Sequence, residues 1–303
     1  MLASMKVQTI DLEFQGTRGA IAAFLLEGPE GNVLIETGPE STRPRLLQGL
    51  EELGCGVDDL SALLVTHIHL DHAGAAGWFA QQGVPVYVHR RGARHLIDPA
   101  RLVESARQIY LERFDSLWGE MTPAPSDCVN ELEDGDCVEL GGLTIKAVET
   151  PGHAFHHHAF AVGDVIFAGD AAGVKCDESG FVSVASAPPQ FHLEHTLESI
   201  KKMRSGNYSE LYLTHFGLVG EVDAHLREYA EAVELNATFI RQRIEEKMDN
   251  ESLQIAYQAF NMEQAFRFET SREDWDTIQL VNGTGMCADG IRLYWEKVNG
   301  EEA

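Results

Sequence analysis

The protein has 303 residues, of which 44% are hydrophobic and 8% aromatic, so it can bury a core, and a disordered or fibrous protein is excluded. Its 23 Lys and Arg residues against 48 Asp and Glu leave a formal charge of −25, which disfavours nucleic acid and anionic membranes as partners. Five scattered cysteines and the lack of any run near the roughly 18 apolar residues of a membrane span indicate a reduced, cytoplasmic protein.

The first part of the chain mixes predicted strands with helices. Short apolar runs separated by glycine-containing turns predict an antiparallel meander, and a change to helical spacing follows it. A continuous apolar run then indicates a strand that is buried on both faces. The strands are expected at residues 7–14, 20–26, 32–36 and 61–66, and the helices at about 41–54 and 73–81.

A helical insertion is expected at about residues 90–128, after a further strand at 85–89. Its long helix is predicted to begin with Asp98 as the cap and Pro99 in the first turn. The spacing of its apolar residues predicts that one side of this helix faces the core. The predicted inward stripe consists of Leu102, Ala106, Ile109, Tyr110 and Leu117, with Arg113 only at its fringe.

A second set of short strands, joined by tight turns, fills the middle of the chain. From about residue 221 to the end the composition favours helices throughout. The later elements are expected as strands at 137–140, 143–150, 159–162, 165–168 and 210–214 and a helix at 193–203.

A cluster of histidines directly follows the strand at 61–66. His67, His69, Asp71 and His72 lie within six residues, and in an extended chain His67 and His69 point to the same side. Imidazole and carboxylate groups without thiolates suit zinc, iron or manganese, and they do not match a zinc-finger type of site. The alternative, three unrelated histidines around a turn, would bury polar groups without a common partner.

Residues of the same chemical types recur at the ends of other predicted strands. His153 follows the strand at 143–150, Asp170 follows 165–168, and His215 follows 210–214. A sheet can bring side chains at strand ends together from distant parts of the sequence. Seven such residues suffice to hold two metal ions.

These residues resemble the metallo-β-lactamase-fold hydrolases, and in particular their glyoxalase II-like (hydroxyacylglutathione hydrolase-like) group. The family signature His-x-His-x-Asp-His matches His67, His69, Asp71 and His72, and the three later ligands match in the expected order. The resemblance covers about residues 7–217. It implies a four-layer αββα sandwich in the α/β (α+β) class, with a helical C-terminal region added to it.

The resemblance also implies a ligand set for two divalent metal ions, with zinc as the first choice and iron or manganese as alternatives. One metal would be held by His67, His69 and His153. The second would be held by Asp71, His72 and His215, with Asp170 bridging both. The implied division of the chain is a catalytic domain at 1–220 and a C-terminal helical subdomain at 221–303 that packs on the core.

Two further positions carry weight in this comparison. The family often has a second histidine four residues beyond its Pro-Gly-His, which here is His157, and we expect it to bond the ligands or to stabilise an oxyanion. Histidines 156 and 158 are interpreted as alternating strand residues. Glu36 departs from the family, which commonly has Asp there, and we expect Glu36 to brace the ligand loop.

The expected function is a hydrolase that uses a metal-bridging hydroxide, with Asp71 orienting the nucleophile and accepting its proton. The resemblance favours a thioester or ester substrate. A lactone or a phosphodiester remains an alternative, because fold analogy does not choose among them. A di-iron redox protein is disfavoured since its relatives usually carry Glu where this chain has His69, and a sensor that retains the metal site is a further alternative.

Residues 89–113 form a basic island in an acidic chain. Within it Arg90, Arg91 and Arg94 could hold an anionic handle of a thioester, whereas the simpler interpretation is a solvated helix with ordinary ion pairs. The expected partner is a small-molecule substrate, and neither nucleic acid nor a membrane is expected to bind. Whether the protein forms a homodimer is left open by the sequence.

Overall fold

The computed structural model describes residues 5–176 and 179–301, and contacts between Cα atoms divide the chain into two units. The first unit contains the described residues up to 149 together with 156–167. The second contains residues 150–155 and the described residues from 168 onward. The predicted boundary at residue 220 stays a prediction.

A six-stranded sheet with the order β1-β2-β3-β4-β5-β6 lies in the first unit. The first three strands form the predicted antiparallel meander, in which Phe24 pairs with Ile35, and the following strands pair in parallel. Parallel neighbours need crossover connections, which is why helical segments lie between β3, β4, β5 and β6 in sequence. The strands are β1 (Lys6–Asp11), β2 (Ala22–Gly28), β3 (Gly31–Ile35), β4 (Leu60–Leu64), β5 (Val86–His89) and β6 (Val129–Leu132).

Six α-helices connect these strands. Three of them lie between β5 and β6, in the range of the predicted insertion. Pro44 lies in the first turn of α1, where a missing N–H costs no hydrogen bond. The helices are α1 (Arg43–Glu52), α2 (Leu70–Ala73), α3 (Ala76–Gln81), α4 (Arg90–Ile97), α5 (Ala100–Tyr110) and α6 (Phe114–Leu117).

The predicted inward stripe of the long helix is wrong for most of its length. The chain divides into α5 and α6, and every residue of α5 is half-buried or exposed, with Ile109 61% exposed. Asp98 Oδ1 accepts a hydrogen bond from the Ala100 N–H at 3.2 Å, so the predicted start is close to correct. Only Leu117, in α6, is buried as expected.

Four antiparallel strands in the order β10-β9-β8-β7 belong to the second sheet and lie in the first unit. The rings of Phe24 in β2 and Phe167 in β10 are 5.4 Å apart and both are buried, so the two sheets pack face to face there. The strands are β7 (Cys137–Leu140), β8 (Leu143–Glu149), β9 (His158–Val162) and β10 (Val165–Phe167).

The second unit is mainly helical and contains one hairpin. Helix α8 contacts α7, α9 and α11, and Tyr229, Tyr257 and Trp275 are fully buried there. The elements are α7 (Leu193–Ser205), β11 (Glu210–Leu213), β12 (Gly217–Val219), α8 (Val222–Glu245), α9 (Asn250–Arg267), α10 (Arg272–Val281) and α11 (Thr284–Glu301). Among the described helices, none has the length and apolar character that crossing a bilayer requires.

Candidate metal centre

The loop after β4 holds the first cluster of histidines. His69 has an extended backbone at the start of α2, so Asp71 and His72 fall in the first helical turn. The ring centroids of His67 and His69 are 4.4 Å apart, and those of His67 and His72 are 4.0 Å apart. His67 and His72 are fully buried, whereas His69 and Asp71 are partly accessible. The expected convergence of these side chains is therefore seen in the structure.

Glu36 directly follows β3, and its carboxylate contacts this loop. Its carboxylate is fully buried, and Oε1 accepts hydrogen bonds from Thr66 Oγ1 at 2.5 Å and from the Thr66 N–H at 3.3 Å. His72 Nδ1 lies 3.3 Å from the same oxygen. Glu36 has a φ of 66°, a left-handed conformation that is uncommon for residues other than glycine. This backbone turn directs the carboxylate at the ligand loop.

Thr66 links Glu36 to a second histidine. Its hydroxyl donates to Glu36 and lies 3.1 Å from His67 Nδ1. A donating hydroxyl oxygen can still accept a bond, so this arrangement fits a proton on His67 Nδ1. That tautomer directs the lone pair of Nε2 away from Thr66. Sequence reasoning missed Thr66, although its position directly before the first histidine was a usable signal.

The second unit presents three residues of the predicted ligand set close together. Asp170 Oδ2 lies 3.3 Å from His153 Nε2, and Asp170 Oδ1 lies 3.6 Å from His215 Nε2. All three side chains are buried. The Asp170 carboxylate thus faces one histidine with each oxygen.

Local backbone geometry and one hydrogen bond fix the position and orientation of His153, which follows β8. Gly152 precedes His153 with a φ of 136°, and a Cβ there would lie 2.4 Å from Thr196 Oγ1, so the turn requires glycine. His153 Nδ1 lies 3.0 Å from the Ala185 carbonyl oxygen. Because a carbonyl only accepts, Nδ1 carries a proton, and Nε2, which faces Asp170, is the nitrogen that could hold a metal ion.

The other histidines of the 153–158 segment take different positions. His157 is fully buried, with its ring centroid 4.9 Å from that of His67. His158 begins β9, and its N–H donates to the Thr66 carbonyl at 2.8 Å. His156 precedes the strand, with its ring 5.7 Å from that of His69. The interpretation as a strand residue is correct for His158 only.

The three arginines of the basic island lie on α4. All three are exposed, and Arg90 Nη1 pairs with Glu133 at 3.0 Å while Arg94 Nε lies 3.1 Å from His95 Nε2. Exposed pairs of this kind contribute little to stability. The structure leaves the role of these arginines in substrate binding a prediction.

Three groups of buried or half-buried side chains, among the residues that the structure describes, could hold a metal ion. Within each group, one ligand atom per residue lies within 4.8 Å of the others. The donors are imidazole nitrogens and carboxylate oxygens, a set that suits zinc, iron or manganese, so the residues present fit such ions. The groups are His67, His69 and His153; His67, His72 and Asp170; and Asp71, His72 and His215.

Comparisons with known proteins agree with this chemistry. The sequence profile of the metallo-beta-lactamase superfamily matches residues 16–215. A metallo-beta-lactamase fold-containing protein of Sulfurisphaera tokodaii is 27% identical over 178 residues, which cover 57% of this chain and 67% of that protein. The hydroxyacylglutathione hydrolase of Haemophilus influenzae is 31% identical over 156 residues, which cover 48% of this chain and 66% of that enzyme. The matches thus span about two thirds of these relatives.

A solved structure extends the likeness along nearly the whole chain. The metallo-beta-lactamase family protein of Thermus thermophilus superposes with a TM-score of 0.65 at 20% identity, covering 99% of this chain and 94% of that one. This likeness concerns the fold, and it confirms the predicted sandwich with an added helical C-terminal region. Since the superfamily profile matches most of the chain, the protein belongs to the metallo-β-lactamase superfamily.

Proposed function

We propose that the protein is a dinuclear metal-dependent hydrolase that cleaves a thioester or ester. The observation that carries this proposal is the set of three ligand groups, in each of which the three donor atoms lie within 4.8 Å of one another. Together these groups contain seven residues, enough for two ions that share a carboxylate. Most members of the superfamily are metal-dependent hydrolases, which supports the same reaction class.

In this proposal each ligand has a defined place. His67, His69 and His153 would hold one ion, and Asp71, His72 and His215 would hold the other. Asp170 would contribute to both, a role that its two oxygens support by facing His153 and His215 separately. Zinc is the first choice for both ions, with iron or manganese as alternatives, because borderline nitrogen and oxygen donors accept all three.

When bound, the two ions supply an activated water at neutral pH and polarise the acyl carbonyl. The protein's own part is to position and to move protons. Asp71 is the partly accessible carboxylate of the set, and it orients the attacking water and accepts its proton. His157, fully buried against His67, serves to position that ligand rather than to contact substrate.

A thioester is favoured as the substrate by two observations. The Haemophilus relative is named for the hydrolysis of hydroxyacylglutathione, a thioester, although that likeness covers about half of this chain. In addition, Arg90, Arg91 and Arg94 form an exposed basic group in a chain of charge −25, which suits an anionic handle. We infer a soluble small-molecule thioester with a negative charge.

The test combines metal analysis with a substrate screen. Purified protein is expected to contain about two metal ions per chain and to hydrolyse a thioester in preference to a lactone or a phosphodiester. Asp71→Ala should abolish turnover, whereas Asp127→Ala, a change at an exposed carboxylate, should not. Loss of activity with a chelator and recovery with zinc complete the test. Lactone or phosphodiester turnover would overturn the substrate, and protein that binds no metal would overturn the class.

A further inference from the structure

The carbonyl oxygen that orients His153 belongs to a short segment held by the C-terminal helices. Ala185 supplies this oxygen, and its neighbours Ser183, Val184 and Ser186 are all buried. We call residues 183–186 the carbonyl segment. Ser183 pairs with Val174 in an isolated β-bridge, which fixes one end of the segment. The orientation of the His153 ring therefore depends on what holds the rest of it.

Asn282, between α10 and α11, holds the first half of the carbonyl segment. Its side chain is buried, and Nδ2 donates to Ser183 Oγ at 2.9 Å and to the Val184 carbonyl at 3.0 Å. The Cys287 thiol donates to Asn282 Oδ1 at 2.9 Å. Burial raises the pKa of Cys287 to about 11, so this thiol keeps its proton at neutral pH. Every polar atom of the Asn282 amide is thus used, and its orientation is determined.

Helix α11 holds the second half. Ser186 Oγ donates to the Cys287 carbonyl at 3.1 Å. Gly290 lies so close to the segment that a Cβ there would be 1.7 Å from the Ser186 carbonyl oxygen. The backbone N–H of Ala185 faces the Tyr229 hydroxyl of α8 and partly offsets the rise that burial causes in the pKa of this tyrosine. Residues of α8, of α11 and of the junction between α10 and α11 therefore contact the carbonyl segment.

We infer that Asn282 is a positioning residue for the metal centre, because it holds the carbonyl segment so that Ala185 fixes the Nδ1–H tautomer of His153. This inference rests on the proposed function for the meaning of His153 as a ligand. According to this inference, the helices beyond residue 221 contribute to metal binding although they supply no metal ligand. A backbone acceptor that is free to move would allow either imidazole nitrogen to carry the proton.

The experiment replaces the amide and leaves the ligands unchanged. Asn282→Leu keeps the branched outline of the side chain and removes all three hydrogen bonds, and Asn282→Asp keeps the shape but replaces the donor Nδ2 by an acceptor. The matched control is Asn236→Leu, which removes another buried amide of the same helical region whose Nδ2 bonds only within its helix, to the Ala232 carbonyl. Thermal unfolding of each variant identifies which of them fold.

Two measurements then test whether Asn282 positions His153. In protein treated with chelator, two-bond ¹⁵N–¹H spectra report the tautomer of His153, whose signals are assigned by their loss in His153→Ala. Competition of zinc with a chromophoric chelator reports metal affinity. We expect Nδ1–H in the wild type and in Asn236→Leu, a mixed tautomer in the Asn282 variants, and about tenfold weaker zinc binding in those variants.

The outcomes separate the two proposals. Folded Asn282 variants that keep the His153 tautomer and the zinc affinity would overturn the positioning role and leave the hydrolase proposal intact. A wild-type protein in which His153 carries its proton on Nε2 would also overturn the positioning role of Asn282. A wild type that binds neither zinc nor iron nor manganese would overturn the proposed function, and the tautomer comparison would still decide the role of Asn282.

Discussion

Thr66 Oγ1 and Glu36 Oε1 are 2.5 Å apart, and both atoms are buried beside the histidine loop. The same Glu36 oxygen lies 3.3 Å from His72 Nδ1, and the same Thr66 hydroxyl lies 3.1 Å from His67 Nδ1. One carboxylate therefore reaches two histidines, one directly and one through a hydroxyl. Hydrogen-bonded partners of this kind fix the tautomer and ring orientation of metal-binding histidines.

Replacing Glu36 by Gln should weaken metal binding. The amide keeps the shape of the side chain but removes the negative charge that Thr66 and His72 face, so both histidines lose part of their orientation. We expect a loss of zinc affinity of about tenfold, measured by competition with a chromophoric chelator. Glu40→Gln is the matched control, because the nearby Glu40 carboxylate bonds Arg43 instead of a histidine. Equal zinc affinities in the two variants would contradict this role of Glu36.

His225 should make the protein less stable in acid. It is buried in α8 with Nε2 2.9 Å from the Ala172 carbonyl, and burial, aided by the positive charge of Lys175, lowers its pKa from 6.5 to about 4. The unfolded chain therefore binds a proton between pH 6.5 and 4 that the folded chain does not. The free energy of unfolding should fall as pH falls through this range, by on the order of 3 kcal/mol from this group.

His225→Gln isolates this effect, since an amide N–H can bond the Ala172 carbonyl without titrating. Urea unfolding from pH 7.5 to 4, with excess chelator throughout, should show a shallower decline for the variant than for the wild type. The chelator keeps metal release from contributing differently to the two proteins. Parallel curves would show that His225 does not carry the pH dependence.

The positions of the candidate ligands after the strands could be predicted because they depend on local features. A buried strand ends in a sharp turn, and β8, β10 and β11 end within four residues of His153, Asp170 and His215. The meander β1-β2-β3 was predicted for a similar reason, since alternating apolar residues and glycine turns are both visible in the sequence. Strands β6 and β12 are short and lack such runs, and they were missed.

The remaining features depend on contacts between residues distant in sequence. The left-handed backbone of Glu36 and the hydroxyl of Thr66 gain their meaning only when β3 and β4 pair. The exposure of Ile109 contradicts the apolar stripe of α5, because periodicity reports an amphipathic helix and not what covers it. Likewise, Ala185 acts through a backbone carbonyl, which residue type does not reveal.

The basic island can be tested by removing its charge. Arg90, Arg91 and Arg94 changed together to Ala should raise KM for an anionic thioester several-fold and leave KM for a neutral thioester unchanged. Arg241, Arg267 and Arg272, which form exposed pairs on the C-terminal helices, give a control triple with the same change in net charge. An unchanged KM in the first triple, or an equal rise in both, would remove the island from substrate binding.

Gly77→Ala should destabilise the first unit through the helix that follows the histidine loop. Gly77 lies in α3, and a Cβ there would be 1.7 Å from the Thr122 carbonyl oxygen and 2.7 Å from its carbon. Both are backbone atoms, so the clash can be relieved only by a shift of α3 or of the chain segment at 122–124. Overpacking of this kind costs about 1–3 kcal/mol, measurable as a lower midpoint in urea unfolding. Gly220→Ala, where the added Cβ meets nothing within 4 Å, should leave the midpoint nearly unchanged. If α3 shifts, zinc affinity should fall together with stability, because α2 and its candidate ligands directly precede α3. A loss of stability with unchanged zinc affinity would instead show that the chain adjusts at residues 122–124.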